Sequence, residues 1–171
     1  MRFYVDFEAT QPEQEIISIG IVAEDGSTFS SLMKPKHSKI TKFITDLTGI
    51  TQEMIDEAPS ADLVFTALYH WLSDKERNFH NWDFYSFGDG DQTFLKCTAD
   101  SLESNGAVLT AGVILLTLKD YSKVARSFFK GRTSLINAFN YVKSQETTQI
   151  HDALEDAKML QIVSAINVVS C

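Results

Sequence analysis

The sequence predicts an α/β sandwich built on a mixed sheet. Three observations carry this: residues 2–8 alternate as a strand does, an antiparallel hairpin signal follows, and strand and helix signals then take turns to the end of the chain. A helical bundle would lack the opening, and a β-barrel would lack the helices.

In residues 2–8, Phe3, Val5 and Phe7 fall on one side and Tyr4, Asp6 and Glu8 on the other. After a polar turn at 11–14, residues 16–23 are almost wholly apolar and rich in β-branched side chains, as a strand covered on both faces must be. Glu24-Asp25-Gly26 supplies hairpin chemistry, and residues 28–33 return as a third strand that Pro35 ends. Residues 40–57 read as short helices punctuated by Gly49 and closed by Pro59. Ser60 caps a longer helix with an expected apolar stripe of Leu63, Ala67, Leu68, Trp71 and Leu72. Residues 78–87, rich in aromatics, read as a strand, 88–90 as a tight turn, and 92–103 as a helix starting at Asp91. The apolar run at 107–116, after Asn105-Gly106, predicts a fifth strand. Helices follow at 121–129 and 134–142, and a last long helix carries the carboxy-terminal acidic cluster.

A chain of 171 residues, 44% apolar and 22% charged, suits one domain spanning 1–171. Arg2, Asp6 and Glu8 leave no room for the apolar segment of a signal peptide, and the run 107–118 falls short of the ~20 residues that span a bilayer. Neither secretion nor membrane insertion is expected. Cys97 and Cys171 cannot make a disulfide framework and lack zinc-ligand spacing, so the expected location is cytoplasmic. A net charge of −8 argues against broad attraction to nucleic acid or acidic membranes, so a phosphate-rich ligand needs local cations. Lys34, Lys36, His37, Lys39 and Lys42 form one candidate stretch, and Lys119, Lys123, Arg126, Lys130 and Arg132 another. Ordinary solvated surface accounts for either equally well.

Acidic residues fall into three groups. Asp6 and Glu8 project side by side, roughly 6 to 7 Å apart by the strand rise, from a strand expected inside the sheet. Burying them unpaired is costly, and a divalent cation removes the cost. From these two residues alone, the wet face of an amphipathic strand is the simpler account. In the cluster at 151–156, Asp152 and Asp156 repel at i,i+4, and a helix dipole explains Asp152 and Glu155 better than Asp156. His151, just before that helix, is placed to act as a base near neutral pH, although a surface histidine would look the same. Gly88-Asp89-Gly90-Asp91 is explained by a turn and a helix cap without any chemistry.

Together, Asp-Phe-Glu-Ala-Thr at 6–10, Gly-Asp-Gly-Asp at 88–91 and His-x-Ala-x-x-Asp at 151–156 resemble, in order and spacing, the three motifs of the DEDDh 3′→5′ exonuclease family. Gln14-Glu15-Ile16-Ile17, Leu47-Thr48-Gly49-Ile50-Thr51-Gln52 and Ala58-Pro59 place the resemblance nearest the exoribonucleases that process histone-mRNA 3′ ends and regulate RNA interference. The resemblance implies an RNase H-like fold with a five-stranded mixed β-sheet flanked by α-helices. It also implies that Asp6, Glu8, Asp91 and Asp156 hold two Mg²⁺ or Mn²⁺ ions and that His151 is the general base. An all-oxygen ligand set without thiolate suits such hard cations independently. Phe7, Ala9, Thr10, Leu47, Thr48, Gly49 and Ile50 match positions where the family holds the terminal nucleotide. Phe87 stands where the family often has Trp before its Gly-Asp, which leaves Asp91 preferred and Asp89 as the alternative.

The expected partners are single-stranded RNA or DNA 3′ ends, acted on by a monomer or homodimer. An exoribonuclease, a DNA proofreading or repair exonuclease, and a non-catalytic nucleic-acid-binding protein of the same fold are the three functions to separate. The last must explain why four carboxylates converge at a cost in stability.

Overall fold

The computed structural model describes residues 1–129 and 133–165. Its strands are β1 (Arg2–Ala9), β2 (Ile16–Ala23), β3 (Thr28–Leu32), β4 (Asp83–Ser86) and β5 (Lys119–Asp120). They form one sheet in the order β3-β2-β1-β4-β5. The pairs β1/β2 and β2/β3 are antiparallel, and β1/β4 and β4/β5 are parallel, so the sheet is mixed and β1 lies at its centre.

Alternation along β1 sorts its side chains between two layers. Phe3, Val5 and Phe7 enter the main core with Ile19, Ile21 and Phe84. That core is closed by α3 (Ala61–Lys75), α4 (Gly90–Ala99) and α5 (Asn105–Thr117) through Phe65, Leu68, Leu95 and Ile114. On the other face Tyr4 joins Tyr121, Leu135, Ala138, Leu160 and Val163, which come from α7 (Leu135–Lys143), α8 (Ala153–Ser164) and the residue before α6 (Ser122–Phe128). Two short helices, α1 (Lys42–Thr48) and α2 (Gln52–Glu57), pack Ile44 and Ile55 on Ile17 in a smaller cluster. Thr41, Thr51 and Ser60 cap α1, α2 and α3 through their side-chain oxygens, and Gly49 ends α1 at φ 76°, where a residue without Cβ is favoured.

Four expectations need correction. Residues 107–116 are not the fifth strand but the body of α5, capped by Ser104, and the fifth strand is the pair Lys119–Asp120. In α5 the buried residues Ala107, Thr110, Ala111, Val113 and Ile114 follow helical spacing, but Val108, Leu109 and Leu116 on the open side are apolar too, which hides the period. The stripe of α3 is rotated: Ala61, Val64, Phe65, Leu68 and Leu72 face the core while Leu63 is 63% exposed. Strand β4 covers only the end of the predicted 78–87, because Asn78 caps a 3-10 turn and Trp82 turns inward to donate its indole N–H to the Glu76 carbonyl at 2.7 Å. Helix α4 starts at Gly90 and stops at Ala99, short of the expected 103.

Candidate active site

The parallel strands β1 and β4 end on the same side of the sheet, the side where open α/β sheets bind ligands. Asp6 and Glu8 lie on the late half of β1, facing away from the main core. Asp6 pairs in register with Gly20 on β2. A Cβ on Gly20 would collide with the backbone of Ala153 and Leu154, so this glycine lets the amino end of α8 rest directly on the sheet. That approach brings His151 and Asp156 to the two β1 carboxylates.

His151 sits at φ 51°, a left-handed conformation that costs a residue with a side chain of order 1–3 kcal/mol. The turn ends in Asp152, whose carboxylate caps α8 by accepting from the Glu155 amide at 3.0 Å. Ligand-capable atoms of Glu8, His151 and Asp156 all lie within 4.8 Å of one another.

Asp91 occupies the first turn of α4 and is buried. Its carboxyl meets the Phe7 backbone and the Ser86 hydroxyl, beside β1 just past the last β4 pairing. Asp89 is exposed, forms no side-chain cap bond and lines a cleft together with Asp6, whereas Asp91 is buried and its charge acts on the Asp6 carboxyl.

Burial dominates the electrostatics. It drives the Asp6 carboxyl well above the usual range, and the charges of Asp91, Asp156 and Glu8 push the same way. Glu8 rises to about 8, through burial first and then Asp156 and Asp91. Asp91 rises to about 7 because burial outweighs its hydrogen bonds. Asp156 is raised by burial against the opposing pull of Gln149 and His151.

Gln149 is a neighbour that motif reasoning missed. Its amide donates to Asp156 Oδ2 at 2.6 Å, while Asp156 Oδ1 is buried without any hydrogen-bond partner. No periodicity marks Gln149, since it reaches Asp156 from an irregular segment; its only sequence signal is a polar residue two before His151. The orphaned Oδ1 and the set of carboxylates plus imidazole fit a hard divalent cation, because an ion would satisfy that oxygen and neutralise the raised acids.

Two clefts flank these carboxylates. One, of about 550 Å³, is bordered by Glu8, His151, Asp152 and Glu155 and by Thr48, Gly49 and Ile50 from the end of α1. The other, of about 540 Å³, holds Asp6, Phe87, Asp120, Arg126 and Gln149. Of the predicted nucleotide-binding residues, Thr48, Gly49 and Ile50 therefore face the first cleft, and Leu47 is exposed outside its lining. Phe7 and Ala9 are buried, and the Thr10 hydroxyl is engaged by the Glu15 amide at 3.0 Å.

A family model described as exonuclease, of RNase T type, matches residues 3–163. The chain belongs to the exonuclease family. Human ERI1 exoribonuclease 3 is 38% identical to this chain over 40% of the chain and 24% of the relative. The chain thus spans about a quarter of the length of the curated relatives it matches. The nuclease domain of 3′hExo, a DEDDh family member bound to rAMP, superposes with a TM-score of 0.76 at 22% identity, covering 99% of this chain and 92% of that one. Exonuclease X in complex with 5′ overhanging duplex DNA gives a TM-score of 0.66 at 15% identity over 100% and 94% of the two chains. These likenesses show an RNase H-like exonuclease fold, as the motifs implied. Among the described residues, no helix is long and apolar enough to cross a membrane.

Proposed function

We propose that this chain is a metal-dependent 3′→5′ exonuclease that hydrolyses single-stranded nucleic acid, RNA by preference, from its 3′ end to nucleoside 5′-monophosphates. One observation carries the proposal: Asp6, Glu8, Asp91, Asp156 and His151 come together beside two open clefts, with Asp156 Oδ1 buried and unpartnered. The donor set fits two Mg²⁺ or Mn²⁺ ions, which Asp6, Glu8, Asp91 and Asp156 would hold. Such a pair, when bound, neutralises the carboxylates and stabilises the attacking and departing oxygens of an in-line displacement.

The remaining chemistry belongs to the chain. His151 accepts the proton of the attacking water, its imidazole held against Glu8 and Asp156 by the left-handed turn. Water oxygen bonds to phosphorus as the P–O3′ bond breaks, which leaves a 3′-hydroxyl on the shortened strand. Thr48, Gly49 and Ile50 bound the space for the terminal nucleoside. By the family resemblance Phe7, Ala9, Thr10 and Leu47 would add to this hold, although none of them lines the cleft.

RNA is favoured by the similarity to human ERI1 exoribonuclease 3, and DNA by the fold shared with Exonuclease X. Matched single-stranded RNA and DNA, labelled at the 5′ end and incubated side by side, test the proposal. Stepwise shortening from the 3′ end that stops with EDTA and returns with Mg²⁺ or Mn²⁺ is expected, with RNA shortened faster. Shortening that survives thorough chelation would sink the metal-dependent reading.

A further inference from the structure

Two clefts of nearly equal volume adjoin the carboxylates, but their charges differ. The cleft with Glu8 and His151 is bordered also by Asp152 and Glu155 and has no lysine or arginine in its lining. The cleft with Asp6 and Gln149 is bordered by Asp89 and Asp120 too, but it contains Arg126. Among the described residues that line either cleft, Arg126 is the one lysine or arginine.

Among the described residues, the other cations of both basic stretches line neither cleft. Lys34 and Lys36 border a third hollow with Asp62 and Glu103, and Lys36 pairs with Glu103 at 3.4 Å. Lys119 pairs with Asp83 at 2.5 Å, and Lys123 lies 4.0 Å from Asp120. Lys130 and Arg132 lie outside the described residues. Arg126 projects from α6 exposed to solvent, and no ion pair among the described residues engages it. Of the acids lining that cleft, Asp120 is already held by the Gly88 amide at 2.8 Å and the Ser122 amide at 2.9 Å.

On the exonuclease reading above, the two clefts must receive chemically different halves of the substrate. The 3′-terminal nucleoside carries a free hydroxyl and no phosphate beyond the one under attack, so a cleft without cations suits it. The rest of the strand brings a further phosphate with every nucleotide and needs a cation. We propose that the Arg126 cleft holds the strand upstream of the scissile bond, with the guanidinium fork on a backbone phosphate. This makes the charge difference between the clefts a determinant of strand polarity.

The test measures binding apart from turnover. In an Asp6→Asn background, a fluorescein-labelled ten-nucleotide single-stranded RNA is titrated by anisotropy at several salt concentrations. Arg126→Ala should weaken binding on the order of tenfold at low salt. It should also reduce the slope of log K against log salt by about 0.7, the loss of one phosphate contact on a single strand. Arg126→Lys should keep the slope, and Arg126→Gln should repeat the alanine result if packing is not the cause. In otherwise wild-type protein, Arg126→Ala should raise KM for the ten-nucleotide strand at least several-fold more than for thymidine 5′-monophosphate p-nitrophenyl ester, which has no upstream phosphate. An unaltered affinity and slope, or equal losses on both substrates, would overturn the assignment. Protein that binds with the expected slope but never shortens RNA or DNA would instead overturn the exonuclease reading, and with it the upstream assignment, and leave only the Arg126 phosphate contact standing.

Discussion

The two oxygens of Asp156 have different surroundings. Gln149 holds Oδ2 at 2.6 Å, and Oδ1 is buried without a partner. Leaving a buried acceptor unsatisfied costs of order 1–3 kcal/mol, more when it is charged, so a fold that keeps it has prepared it for something else. Gln149 fixes which oxygen remains available, and His151 stands close by to handle a proton. These two roles predict separable defects. Gln149→Ala should weaken Mn²⁺ binding, followed by calorimetry without substrate, by about 10- to 100-fold, as losing an outer hydrogen bond to a ligand does. His151→Ala should instead slow turnover at saturating metal by roughly 10² to 10⁴. If Gln149→Ala bound Mn²⁺ as wild type does, the bond to Oδ2 would be incidental.

At the scale of elements, the decisive contact is α8 on β2. Gly20 has the backbone of Ala153 and Leu154 where a Cβ would stand, and neither can swing aside as a flexible side chain would. Gly20→Ala should force the amino end of α8 off the sheet and cost at least the 1–3 kcal/mol typical of overpacking. Activity should fall further than stability explains, because His151 and Asp156 move with the helix while Asp6 and Glu8 stay on β1. Thermal melts beside turnover measure both losses; a variant as active and stable as wild type would show that the strand and helix can part without consequence. A second anchor is Glu15, buried at the start of β2, which accepts from the Lys36 amide at 2.9 Å and the His37 amide at 3.0 Å. It ties the loop of the first basic stretch to the sheet, which explains an acid next to an apolar strand without giving it any chemistry.

Over the whole molecule, the gathered acids make stability depend on pH and on metal. A carboxyl whose pKa is higher in the folded chain than in the unfolded one favours folding in its protonated form. The raised groups, with Glu8 at about 8 and Asp91 at about 7, therefore give their full stabilisation at low pH, and it is lost as pH rises through those values. The lowered acids, Glu15, Asp25, Glu53 and Asp62, act oppositely but only below their ordinary range, so they do not offset this loss near neutrality. In EDTA the Tm should fall between about pH 5 and pH 8.5, and Mn²⁺ or Mg²⁺ should restore most of it at the alkaline end, where the ligands are deprotonated. Glu8→Gln should flatten the profile. A Tm that climbs across this window in EDTA would mean that the carboxyls are not packed as described.

Patterns of short range were legible in the sequence by itself. The two-residue period of β1, the β-branched run of β2, the capping residue Ser60 and the motif carboxylates are local, because a strand or a helix start leaves its mark within a few residues. Helix α5 was misread for the converse reason: with apolar residues on its open side as well, the run carries no period to separate strand from helix. Only the tertiary structure could bury Asp91 and leave Asp89 exposed, reveal Gly20 as the seat of α8, or bring Gln149 to Asp156 and Arg126 to the cleft beside Asp6. Those facts depend on which surfaces meet when remote segments pack, and the identity of a packing partner is not written in the neighbouring residues of the chain.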